Sequence, residues 1–166
     1  MQLHSFIREM PCGKQSSPTP FNVLIMYEDF ATGKRAKRGL DCVAEELGND
    51  FEFRHTMWRL DILQDPKLNI LAAPALAEAD LLIISLRAEG QIPGKIRVLI
   101  DMWLAEKINR DGALVALFEA KASETRGSVY ACLANLARRH GLDFLVQTVG
   151  EREDQEEPSL KLVWVF

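Results

Sequence analysis

The residues best suited to chemistry are Thr32, Gly33, Lys34 and Arg35, just after a short apolar run at positions 21–27. They bring a hydroxyl, a glycine backbone and two cations to the predicted start of a helix. Free N–H groups at such a start, with side chains of this kind, hold phosphates. The Gly-x-x-x-x-Gly-Lys-Ser/Thr spacing of a Walker A loop is missing. Glu28 and Asp29 precede them and would set two negative charges beside a bound anion. The competing reading is a solvated basic first turn, continued by Lys37 and Arg38.

Two further stretches join this one. Glu119 to Gly127 holds hydroxyls at Ser123 and Thr125 and a glycine at 127, suited to touching a ring edge or a ribose. Between them in the chain, Glu89, Gly90 and Gln91 lead into Pro93-Gly94, which starts a helix cleanly. Nucleophilic catalysis has weaker support. Ser85, Ser123 and Ser128 have no histidine in a suitable loop, because His140 closes a helix predicted at the other end of the sheet. Cys42 and Cys132 fall within helices and read as packed thiols. Cys12, Cys42 and Cys132 form no CxxC pair, and His4, His55 and His140 are scattered, so no zinc site is expected. Trp58, Trp103 and Trp164 read as core or interface residues.

The elements that must position these loops alternate. Apolar runs at 21–27, 80–85, 113–118 and 144–149 suit strands covered on both faces. The stretch from Phe51 adds a strand by alternation of Phe51, Phe53 and His55. Between them, Ala36, Leu40, Val43, Ala44 and Leu47 keep the helical period from about Gly33 to Leu47, where Gly48 ends it. Asp65-Pro66 opens a second helix towards Ala79, which Pro74 should kink or split. A third runs through Ile96, Leu99, Ile100 and Trp103, and a fourth carries Val129, Leu133, Leu136 and Ala137 up to Gly141. Alternation of this kind implies parallel βαβ units with right-handed crossovers. The predicted fold is α/β, a three-layer doubly wound, parallel five-stranded sheet of flavodoxin-like type in the order 2-1-3-4-5. An acidic stretch, 150–157, precedes Leu162 to Phe166, an extra C-terminal strand where a fifth helix is usual. That strand is expected to pair at the sheet edge, to mediate self-association or to enter the core. Residues 1–20 read as a lead-in segment whose Leu3, Phe6 and Ile7 can dock on the domain at 21–166.

One domain of 166 residues buries roughly 70% of its unfolded surface and needs no staple. The formal charge of −4 gives no reason to expect nucleic acid or an anionic membrane as partner. No signal core or apolar stretch near 20 residues is present, so a cytoplasmic protein is expected.

Ala79-Asp80, Gly90, Pro93-Gly94-Lys95, Ile100-Asp101 and Trp103 together resemble the NADPH-dependent FMN reductase branch of the flavodoxin-like proteins. In that family an Ala-Asp opens the third strand, a Tyr-Asn-Gly loop reaches a Pro-Gly, and the helix runs on to Ile-Asp-Trp. The resemblance extends more thinly from residue 21 to about 149. It implies FMN, with its phosphate on Thr32, Gly33, Lys34 and Arg35. It also implies that the isoalloxazine ring lies against Glu89, Gly90, Gln91, Ser123 and Gly127. NAD(P)H as co-substrate, a small-molecule electron acceptor or protein partner, and a homodimer follow in the same way. Flavin would carry the hydride, so no catalytic side chain is named. The family's Gly-Ser-x-Arg first loop is missing, and Ala88 and Glu89 stand at its aromatic and Asn positions, which points to weakened or lost FMN binding.

A different class competes. Val23 to Asp29, an apolar strand ending in two acids, resembles response-regulator receiver domains, whose acids hold Mg²⁺. The family's phosphoacceptor Asp would fall on Ser85, and a serine cannot form an acyl phosphate. This reading is a non-catalytic regulatory or interaction module.

Overall fold

A computed structural model describes residues 17–87, 91–107, 111–119, 126–149 and 162–163. Five strands, β1 (Thr19–Tyr27), β2 (Phe51–Arg59), β3 (Leu81–Leu86), β4 (Ala113–Glu119) and β5 (Asp143–Val149), pair in parallel in the order β2-β1-β3-β4-β5. Four helices connect them: α1 (Phe30–Leu47), α2 (Pro66–Glu78), α3 (Gly94–Glu106) and α4 (Arg126–Arg139). The expected flavodoxin-like, doubly wound topology is the one observed. A sixth strand, β6 (Leu162–Val163), pairs antiparallel with β5 at the sheet edge, as one of the sequence readings had it. Trp164 to Phe166, and Leu3, Phe6, Ile7 and Cys12, lie outside the described residues. No described helix is long and apolar enough to cross a membrane.

Burial explains why the central strands lack alternation. β3 is buried at every position, and β4 at every position but Glu119, so neither strand has a solvent-facing side to carry alternating polar residues. One core holds side chains of α2, α3 and α4 on one face, and the other holds Ala36, Leu40, Val43 and Leu47 of α1. The edge strand β2 is exposed at Glu52, Arg54, His55 and Thr56, and its Arg54–Glu52 ion pair charges that edge. Phe21, Phe51 and Phe53 pack there with ring centroids 5.3–6.1 Å apart.

Two helix expectations change. α1 begins at Phe30, three residues before the predicted start, because Asp29 and Thr32 form a reciprocal capping box. α2 runs unsplit through Pro74. Pro74 and Ile70 are both exposed, so the Ile70 carbonyl that loses its helical donor sits on the outer side, where water can satisfy it.

Several residues that carried the family resemblance prove to hold the fold together. Asp80 accepts from the Asn22 N–H at 2.8 Å, donates its own N–H to the Asn22 carbonyl at 2.8 Å, and accepts from the Ala113 N–H at 3.1 Å. It therefore clamps β1, at Asn22, to the starts of β3 and β4. Asp101 on α3 accepts from Arg139 and pairs with His140 Nε2, both at 2.7 Å, tying α3 to the end of α4. His140, with Arg139, holds the Asp101 carboxyl below its ordinary value against the opposing effect of burial. Trp103 is a core residue.

Candidate functional site

In a sheet of this order, ligands meet the loops beyond the C-terminal strand ends at the point where strand order reverses. Here that point lies between β1 and β3. The chain leaves β1 through Glu28 and Asp29 and enters α1 at once. Asp29 is the N-cap, and its carboxylate accepts from the Thr32 N–H at 2.9 Å. The fully buried Thr32 answers with Oγ1, which accepts from the N–H groups of Asp29 at 2.9 Å and Glu28 at 3.1 Å. The same hydroxyl donates to the Asp29 carbonyl at 2.9 Å. Every role open to that hydroxyl is thus taken by the cap.

The end of β3 closes the same corner. Ser85 is fully buried, and its Oγ donates to the Thr32 carbonyl at 2.9 Å. Two residues on, the Arg87 N–H donates to Glu28 Oε2 at 2.8 Å, and the Arg87 guanidinium pairs with Asp29. Burial pushes the Asp29 carboxyl up, but the Thr32 N–H and the Arg87 side chain outweigh it, so it stands below its ordinary value. Arg35, on the first turns of α1, donates to the Leu86 carbonyl at 3.0 Å and lies 3.5 Å from Glu119 at the end of β4. Its Nε is buried without a partner.

Thr32, Gly33 and Arg35 do meet at the strand ends, while Lys34 is exposed beside them. Gly33 has a packing reason of its own: a Cβ there would stand 2.8 Å from Cδ2 of Tyr27. Gln91 is exposed before α3, and Gly127 is exposed in the first turn of α4. Glu89, Gly90 and Ser123 lie outside the described residues. Arg87 was not singled out from the sequence, although a cation just beyond a strand that neighbours two strand-end acids was a usable signal.

FMN can be tested against this corner. A phosphate at the α1 N-terminus would displace the Asp29 carboxylate from the N–H it caps, or sit against it, with Glu28 beside it. The Thr32 hydroxyl has no hydrogen left to offer, and Arg87 and Arg35 already face carboxylates. The residues present do not fit a phosphate group here. The receiver arrangement fits no better as an active site, because a guanidinium stands beside the acids that would hold Mg²⁺.

Neither a family model nor a curated protein matches the sequence. Among solved structures, the Trp repressor binding protein from Bacillus subtilis is similar over 77% of this chain and 87% of its own, at 12% identity and a TM-score of 0.44.

The depressed Asp29 carboxyl has a measurable consequence. A group held below its unfolded value adds stability above that value, near 3.8, and loses it as pH falls through the folded one. The fall in urea midpoint between pH 7 and pH 3 should therefore be smaller in Asp29→Asn, which keeps an N-cap acceptor without the charge. An unchanged fall in the variant would show that the Arg87 pairing does not contribute.

Proposed function

We propose that this chain is a non-catalytic interaction module on a flavodoxin-like scaffold, with its strand-end corner closed by its own side chains. The observation that carries this reading is the Asp29 carboxylate at the α1 N-terminus, capped onto Thr32 and paired with Arg87. It occupies the place where the family resemblance would put the FMN phosphate. A protein rather than a small molecule as partner is supported by aliphatic side chains on the neighbouring helices α2 and α3. Ile70 and Leu71 are 68% and 62% exposed, and Val98 and Met102 are 55% and 59% exposed. Isolated surface aliphatics are ordinary, but several on two packed helices favour a contact surface. A homodimer remains the proposed form, and light scattering would read it as twice the 18.7 kDa chain mass.

The competing reading, an NAD(P)H-dependent FMN oxidoreductase, is tested by the same preparation. The purified protein is expected to be colourless, and FMN titrated into it should keep its free fluorescence throughout. Saturable quenching at one FMN per chain, with NAD(P)H bleaching the bound flavin, would establish the oxidoreductase instead. Labelling by a small phosphodonor in Mg²⁺ is expected to fail, since Ser85 is buried and already donating.

A further inference from the structure

The two faces of the sheet are covered unequally. Side chains of α2, α3 and α4 fill the core on one face, whereas among the described helices only α1 contributes to the other. α1 packs over β1, β2 and β3. Farther across the sheet, β4 and β5 present Ala113, Val115, Leu117 and Leu145 to that same face, in one cluster with the α1 side chains, at 2%, 2%, 6% and 1% exposure. By strand alternation Gln147 joins them, at 9%. In a doubly wound sheet the chain leaving the last strand returns across this face as a helix. Here it comes back as β6, antiparallel at the edge, and supplies no described helix. These positions are buried, yet the one described helix on this face makes its main strand contacts with β1, β2 and β3.

We propose that the N-terminal segment of the same chain is that cover, docking residues 3–10 as an amphipathic helix across the α1-side face of β4 and β5. Leu3, Phe6, Ile7 and Met10 stand at i, i+3, i+4 and i+7, which puts them on one helical face. Ser5, Arg8 and Glu9 fall opposite, and Pro11 follows where a helix would stop. The reach is sufficient. β4 and β5 lie two and three strands from β1, roughly 10–14 Å across the sheet. Residues 11–18, extended, span up to about 26 Å. An eight-residue helix is about 12 Å long, close to the length of the strand surface to be covered from Ala113 to Leu117.

The test uses the full chain with Phe6 replaced by the photo-crosslinker p-benzoylphenylalanine, an aromatic of the same kind. Illumination should give a crosslink within one chain, mapped by peptide mass to residues 113–117 or 145–147. In parallel, Phe6→Asp/Ile7→Asp should lower the thermal midpoint by about 5–10 °C, while Ser5→Asp on the opposite face leaves it in place. Crosslinks between two chains would assign the face to a second copy. Crosslinks to α2 or α3, or none at all, would place the segment elsewhere. Each of these results overturns the proposal, as would equal effects of the Phe6/Ile7 and Ser5 variants.

Discussion

Replacing Thr32 with valine is expected to destabilise the fold by about 2–3 kcal/mol, although the side chain keeps nearly the same volume. Its hydroxyl is fully buried and serves three backbone groups: it accepts from two N–H groups and donates to one carbonyl. Valine leaves Glu28 and Asp29 N–H groups without that acceptor in a partly buried corner, and a donor stranded there costs more than the bond that held it contributed. For a domain of this size the thermal midpoint should fall by about 4–12 °C. Thr32→Ser, which keeps the hydroxyl, should recover most of the loss. If valine proves neutral, the capping box is not what holds the β1–α1 corner, and the hydroxyl becomes free again for a ligand.

The second large effect is non-additive, and it concerns Gly33. Gly33→Ala should cost about 1–3 kcal/mol, because the new methyl would overlap the Tyr27 ring in a buried contact. In a Tyr27→Ala background the same change should turn neutral or stabilising by about 0.5–1 kcal/mol, the ordinary advantage of alanine over glycine within a helix. A double-mutant cycle in urea reads the difference directly. Coupling near zero would mean that Gly33 answers to something other than Tyr27, and a bound ligand approaching the backbone would then be the leading explanation. Strong coupling assigns the glycine to packing.

Much of the fold was legible because its signals are local. Gly48 and Gly141, both with φ near +65°, mark helix ends that only glycine reaches cheaply. The unbroken burial of β3 and β4 follows from runs with no polar interruption, and α1 from one apolar stripe. The start of α1 lies three residues before Gly33 and six before Ala36, the first position of its apolar stripe, so periodicity does not mark it. The capping box depends instead on Asp29 and Thr32 facing each other across one turn. Pro74 misled for the opposite reason: its cost depends on whether the freed carbonyl meets water, and exposure is not written in the local residue order.

The candidate site divides along the same line. Residue types alone placed Thr32, Gly33, Lys34 and Arg35 at a helix start beyond a strand end, and the strand order that brings this corner to the switch point followed from alternation. What those groups hold was a tertiary matter. Thr32 meets Ser85, 53 positions later, Arg35 meets Glu119, and Asp29 meets Arg87, 58 positions later, only because β1, β3 and β4 lie side by side. A hydroxyl or a cation carries the same chemistry whether it faces a phosphate or its own backbone. Only the packing of distant strand ends decides which partner gets there first.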